Sequence, residues 1–289
     1  MTDTKERMQG MIADVQRFST EDGPGIRTTV FFKGCNLRCA WCHNPETQNF
    51  TPELLFYENK CTACGACKKA CPYALEKCTA CGACTEVCPN DARQISGKAY
   101  TVDELLKELK KDELFYQTSG GGVTFSGGEC MLQIDFLEQM LRRCKDAGLS
   151  TAVDTAGEVS FERFERILPF TDLFLYDIKA ADSDTHKKYV GVDNALIFAN
   201  LKKLQEKGAR IWIRIPIIEG VNATVAEMQK INALLKASGG IERVELLPYH
   251  KLGGNKYKAL GRTPQVFSAP SKEQMQSLVA VFEFPASVR

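Results

Sequence analysis

Between Cys61 and Cys88 the chain says almost the same thing twice: CTACGACKKACP (61–72) is followed by CTACGACTEVCP (78–89). Each unit spaces its thiols C-x2-C-x2-C-x3-C-P, and six residues separate Cys71 from Cys78. Eight cysteines with few apolar residues between them cannot build an ordinary core, so this stretch has to be held by other means. In a reducing compartment disulfides are disfavoured, and crowded thiols read as metal ligands. The spacing is that of the bacterial two-cluster run, in which the fourth cysteine of each unit ligates the other cluster. One [4Fe–4S] cluster then takes Cys61, Cys64, Cys67 and Cys88; the other takes Cys78, Cys81, Cys84 and Cys71. Zinc on two C-x2-C pairs is the weaker alternative. Gly65 and Gly82 let backbone amides approach the sulfurs, and Pro72 and Pro89 turn the chain away.

Eleven of the thirteen cysteines lie between Cys35 and Cys88, leaving only Cys130 and Cys144 outside. The rest of the 289 residues are ordinary: 44% hydrophobic and 25% charged, which excludes wholesale disorder. Lys and Arg number 37 against 36 Asp and Glu, so no basic excess points to nucleic acid. The opening MTDTKERMQG has no apolar core and is no signal peptide, and no apolar run approaches the ~18 residues of a membrane span. A cytoplasmic protein, expected as a monomer, follows.

Outside the cysteine-rich stretch, strand and helix patterns alternate. Strands are predicted over 11–20, 28–35, 121–128, 150–157, 171–179, 209–217 and 242–250. Helices are predicted over 101–115, 131–148, 161–168, 183–189, 195–207, 224–237 and 271–283. That alternation means βαβ units and a parallel sheet. The expected fold is α/β: a partial, open TIM-type barrel of about six βα units (1–50 and 99–289) with an inserted bacterial ferredoxin-like domain (51–98). Ligands of such sheets sit at the C-terminal strand ends. Gly127, Gly128 and Glu129 end one strand; Asp154 and Thr155 end the next; Asp177 and Lys179 end a third; His250 ends the last. Asp177 and Lys179 fall on one strand face, which suits a zwitterionic ligand.

Cys35, Cys39 and Cys42 form C-x3-C-x2-C directly after a strand. Three thiolates in one tight loop hold three irons of a cubane and leave the fourth open to another ligand, whereas zinc would need a fourth protein ligand such as His43. This motif resembles that of the radical S-adenosylmethionine (SAM) superfamily. The string FSTEDGPGIRTTVFFKGCNLRCAWCHNPE (18–46), with GGVTFSGGE (121–129), DTAG (154–157), DLFLYDIK (172–179), KKYVGVDN (187–194), IWIRIPII (211–218) and VELLPYH (244–250), is similar to the glycyl radical enzyme activating enzymes.

The resemblance implies that Cys35, Cys39 and Cys42 bind a catalytic [4Fe–4S] cluster, giving three clusters in all, and that Trp41 lies close to the adenine of SAM. It implies that Gly127, Gly128 and Glu129 hold the SAM amino group, and that Asp154, Lys179 and His250 hold its carboxylate and ribose side. It places a monovalent cation near Asp154, Thr155 and Asp177, and a partner's glycine loop near Asp22 and Arg214. The implied reaction is reductive SAM cleavage and hydrogen abstraction from a backbone glycine of a partner glycyl radical enzyme, with a ferredoxin or flavodoxin as electron donor. Inserts of this kind occur in relatives resembling the activators of glycerol or diol dehydratases, choline lyase, hydroxyproline dehydratase and arylacetate enzymes, but not in the pyruvate formate-lyase type. Two alternatives stay open: a radical SAM enzyme acting on a small molecule or another peptide, and an electron-transfer ferredoxin fused to an inert barrel. Cys130 departs from the family's usual small residue or proline and is read as a wall residue.

Overall fold

The structure is a computed structural model and describes residues 8–73, 77–236 and 240–289. Strands β1 (Gln9–Ser19) and β2 (Arg27–Phe32) pair antiparallel around a turn that holds Gly23, Pro24 and Gly25. β3 (Glu53–Phe56) and β4 (Arg93–Ser96) form a separate two-stranded ribbon, with both cysteine repeats running between them. β5 (Lys98–Thr101) returns antiparallel to β1.

The remaining strands build outward from β2 in parallel: β6 (Gly122–Gly127), β7 (Thr151–Thr155), β8 (Leu173–Asp177), β9 (Ile211–Ile217), β10 (Ile241–Pro248) and β11 (Ala286–Val288). The sheet is an open row, β11-β10-β9-β8-β7-β6-β2-β1-β5. Helices connect the parallel strands, as parallel pairing requires.

The two faces of this sheet differ. Phe32, Phe125, Phe174, Tyr176 and Ile213 belong to one continuous buried core that also takes in Leu137, Met140 and Leu141 of the helix Ile134–Asp146 and Leu201 and Leu204 of the helix Ala195–Glu206. The opposite face holds a small cluster of Ala152, Leu173, Leu175 and Trp212. Two residues on along the same face come Asp154, Asp177 and Arg214, so each of β7, β8 and β9 changes from apolar to charged toward its C-terminal end. Register aligns Asp177 with Arg214 and Asp154 with Leu175. The period-2 pattern of the sequence therefore delivers charge to one end of one face.

The helix expected over 101–115 is interrupted. A capping box starts it, with Glu104 N–H donating to Thr101 Oγ1 and Thr101 N–H to the Glu104 carboxylate, but the α-helix ends at Leu109. A 3-10 turn follows at Lys110–Asp112, and a second helix, Glu113–Ser119, resumes. The cause is Asp112, almost fully buried, whose carboxylate accepts from the Arg17 guanidinium and from Thr28 Oγ1 at 2.9 Å. Drawing that carboxylate inward breaks the helical path. The ribbon β3–β4, β5, β11 and the helix Gly254–Ala259 have no counterpart in the sequence-based expectation. Lys98, expected to end the insert, begins a strand of the main sheet. Residues 1–7 of the polar leader and residue 237 of the predicted helix lie outside the described residues. Among the described residues no helix is long and apolar enough to cross a membrane.

Candidate active site

The loop after β2 is built by close backbone approaches. Gly34 N–H donates to Thr47 O at 2.7 Å and Cys35 N–H to Gln48 O at 3.1 Å, folding 34–48 back on itself. From the end of β6, Glu129 N–H donates to Gly34 O at 2.8 Å. A Cβ on Gly128 would stand 2.2 Å from Gly34 O, and one on Gly127, which sits at φ +112°, would stand 2.2 Å from Phe32 N. Only glycine lets this strand end press against the thiol loop. Trp41 is buried and packs against Tyr189 and Phe267 at centroid distances of 6.2 and 6.1 Å.

A cavity of about 450 Å³ opens above these strand ends, within the range that takes a cofactor-sized molecule. Cys35, Cys39, Trp41 and Cys42 line one side. Gly127, Gly128, Asp154, Thr155, Asp177, Lys179, Arg214 and His250 line the remainder, so nearly all the residues expected from separate motifs meet in one place. Glu129 lies behind this wall. Its carboxylate is buried and accepts from Thr155 Oγ1 at 2.8 Å and from the N–H groups of Ala156 and Met131, both at 3.2 Å. Asp22 also lies outside the wall and sits 3.6 Å from Arg214 Nη1. Cys130 is fully buried against the carbonyls of Phe125 and Asp154.

Charge in the cavity is matched pair by pair. Lys179 Nζ lies 2.9 Å from Asp177, and Arg214 Nη1 lies 3.3 Å from Asp154, which also accepts from Ser126 Oγ at 2.6 Å. Burial alone would lower the Lys179 pKa, but Asp177, the Cys39 thiol and Asp154 together raise it. Burial, opposed by Arg214 and reinforced by Asp177, pushes Asp154 up to about 6. Burial likewise lifts Glu129 to about 7 against the three hydrogen bonds it accepts. One oxygen of Asp154 and Nε of Arg214 are buried without a hydrogen-bond partner among the described residues.

The three thiols respond in the same way. Burial is the largest cause in each case, raising Cys35 to about 12, Cys42 to about 11 and Cys39 above its ordinary value. As free groups they stay protonated; held as thiolates they need added positive charge, which iron supplies and Lys179 assists. Among the described residues no three His, Cys, Asp or Glu side chains close on the position of a single ion. The donor set, three soft thiols around one cavity, fits an iron–sulfur cluster with a non-protein ligand at its fourth corner.

The repeats of the cysteine-rich stretch are alike in geometry as well as in sequence. Ala63 and Ala80 both take left-handed backbone, at φ 55° and 54°, and donate N–H to Cys61 Sγ and Cys78 Sγ, each at 3.4 Å. Gly65 and Gly82 follow at φ 76° and 84°, each starting a short helix. Cys61, Cys64, Cys67 and Cys88 line a common cavity of about 350 Å³. Burial raises the Cys84 thiol pKa most; Arg93 opposes the shift, and the Cys78 and Cys71 thiols add to it.

Sequence reasoning passed over several cavity residues. His43, considered only as a fourth zinc ligand, stacks on His250 at 3.9 Å between centroids, and its Nε2 is buried without a partner among the described residues. Burial and the neighbouring His250 depress it to about 4. Its place directly after Cys42 was the available signal. Arg289, which donates to Glu21 O at 2.8 Å and lines the same cavity, had none, because β11 is only three residues long.

Comparison with known proteins gives the family. The family model described as the radical SAM superfamily matches residues 29–230. The trans-4-hydroxy-L-proline dehydratase activating enzyme of Clostridioides difficile is 46% identical over 96% of this chain and 97% of its own. The choline trimethylamine-lyase activating enzyme of Oleidesulfovibrio alaskensis is 37% identical over 97% of this chain and 98% of its own. Among solved structures, a domain of a pyruvate-formate lyase-activating enzyme from Bacteroides vulgatus aligns with a TM-score of 0.52 at 32% identity, covering 59% of this chain and 99% of that one. A radical SAM methyltransferase from Sphaerobacter thermophilus, at 16% identity and a TM-score of 0.57, shares the fold. With the thiol loop, the glycine-ended strand and the paired charges around one cavity, the chain belongs to the radical SAM superfamily and, within it, to the glycyl radical enzyme activating enzymes.

Proposed function

We propose that the cavity at the C-terminal strand ends is where this activating enzyme binds SAM and a [4Fe–4S] cluster to act on a backbone glycine of a partner glycyl radical enzyme. The observation that carries this reading is the meeting of Cys35, Cys39 and Cys42 with the Asp177–Lys179 and Asp154–Arg214 pairs in one cavity. A [4Fe–4S] cluster and SAM held there would supply the one-electron reductive cleavage and hydrogen-abstraction chemistry. The protein's own residues bind, orient and exclude water. Cys35, Cys39 and Cys42 hold the cluster, and Lys179 and Asp177 offer opposite charges to the zwitterionic end of SAM. Gly127 and Gly128 contribute backbone groups, Glu129 braces the wall through Thr155 and Ala156, and Trp41, Asp154 and His250 border the adenosyl side. Asp154, Thr155 and Asp177 are the proposed surroundings of a monovalent cation. Asp22 and Arg214 face the incoming glycine segment.

We further propose that residues 51–98 are a ferredoxin-like insert carrying two more [4Fe–4S] clusters, one on Cys61, Cys64, Cys67 and Cys88, the other on Cys71, Cys78, Cys81 and Cys84. Residues 1–50 and 99–289 then form the partial barrel of about six βα units. A ferredoxin or flavodoxin is the proposed electron donor, and the protein is proposed to act as a monomer in the cytoplasm. The test is reconstitution with iron and sulfide: about twelve irons per chain, SAM-dependent 5′-deoxyadenosine, and a glycyl radical signal on the partner are expected. Deoxyadenosine with no radical on any glycyl radical enzyme would favour a small-molecule substrate.

Replacing Cys61 and Cys78 by Ala separates the roles. Partner activation is expected to slow or stop, while the SAM dissociation constant, measured by titration of the reconstituted protein, stays within about two-fold.

A further inference from the structure

The root of the cysteine-rich stretch is bolted to the thiol loop by buried charge. Lys33, two residues before Cys35, is fully buried, and its Nζ donates to Glu46 O at 2.6 Å and to the Glu53 carboxylate at 3.1 Å. Glu46 lies four residues beyond Cys42, and Glu53 opens the ribbon strand β3. Glu53 is shared: Arg262, from the C-terminal part of the chain, donates to its other oxygen at 2.7 Å. The same guanidinium donates to Pro45 O and to Gln48 Oε1, both at 3.2 Å. Two cations that grip the returning limb of the loop, 45–48, are thus neutralised by one carboxylate contributed by the ribbon. The other nearby acid, Glu46, is engaged by Lys256 at 2.5 Å.

We infer that Glu53 is a positioning residue for the SAM site: through Lys33 and Arg262, the ribbon sets the course of the loop that carries Cys35, Cys39 and Cys42. The link is short. Lys33 holds Glu46 O while Gly34 N–H and Cys35 N–H hold Thr47 O and Gln48 O, so a shift of the returning limb moves the first thiol directly. Without Glu53, the buried Lys33 loses its carboxylate partner and faces the Arg262 guanidinium uncompensated, and the limb they share shifts. The cysteine-rich segment in this reading has two separable roles, its thiols serving electron transfer and its root shaping the neighbouring cavity.

This inference rests on the proposed SAM site, and the test keeps the two apart. Reconstituted wild-type protein binding SAM, with the change in its electron paramagnetic resonance spectrum that accompanies binding, establishes the site; its failure to bind overturns the site and the inference together. Glu53→Gln is then expected to weaken SAM binding roughly ten-fold and to alter the SAM-bound spectrum, with iron content unchanged. The exposed Glu58→Gln, in the same segment, is expected to behave as wild type. Adding Lys33→Gln to Glu53→Gln restores a neutral, hydrogen-bonding pair and is expected to recover most of the affinity. If Glu53→Gln does not fold, Arg262→Gln, at a half-buried position, reads the same linkage with an expected loss of roughly three-fold. SAM affinity and spectrum equal to wild type in whichever of these variants folds, even with reduced thermal stability, would overturn the inference.

Discussion

Replacing Cys35, Cys39 and Cys42 together by Ala is expected to remove about four of roughly twelve irons and to abolish SAM cleavage, leaving the ribbon-borne segment loaded. The independence follows from geometry. The four-thiol cavity of Cys61, Cys64, Cys67 and Cys88 shares no lining residue with the cavity of the first loop. Three half-buried thiols whose pKa values are all raised stay neutral when unligated, so taking them out leaves a smaller wall of unchanged charge. Iron and sulfide analysis, with chromatographic assay of 5′-deoxyadenosine, checks both halves. Full iron content in the triple variant would remove the assignment.

Lys179→Ala is expected to raise the SAM dissociation constant ten- to a hundred-fold, corresponding to the ~1.5–3 kcal/mol of a charge-assisted hydrogen bond in a partly dry site. Lys179 faces Asp177 at 2.9 Å and also feels Asp154 and Cys39. Without it, Asp177 loses its cationic partner in the cavity, and an incoming carboxylate meets repulsion. Lys187→Ala and Lys188→Ala, exposed on the helix Ser183–Val190, are expected to leave binding unchanged. Equal affinity of fully loaded Lys179→Ala and wild type would show that this strand end is not the cofactor site.

The sequence was legible where one residue's surroundings are set by its near neighbours. The period-2 pattern through Leu173, Leu175 and Asp177 gave both the strand and the face that carries charge, and the cysteine spacing grouped Cys61, Cys64, Cys67 and Cys88, which line one cavity. It was less legible where distant segments decide. Asp112 interrupts a helix because Arg17 and Thr28, more than eighty residues away in sequence, draw its carboxylate inward. The side chain of Glu129 was expected to face the ligand, but Thr155 and two backbone amides already engage it behind the wall. The linkage of Lys33 to Glu53 was invisible because neither residue belongs to a motif, and burial of a lysine cannot be read from composition.

The uneven exposure of the thiols also ranks their vulnerability to oxygen. Cys61, Cys64, Cys78 and Cys81 stand open to solvent, Cys35, Cys39 and Cys42 are half-buried around a walled cavity, and Cys130 and Cys144 are sealed within the core. Oxidation follows access as well as thiolate character. In air, iron-free protein is expected to lose the first group to disulfides and sulfur oxyacids before the second, with the last pair intact, a sequence that timed alkylation and mass spectrometry would resolve. An iron-free preparation briefly aerated and then reconstituted would regain SAM binding at the first loop without the insert clusters proposed to pass electrons, so cofactor binding alone would be a poor measure of whether the enzyme had survived handling.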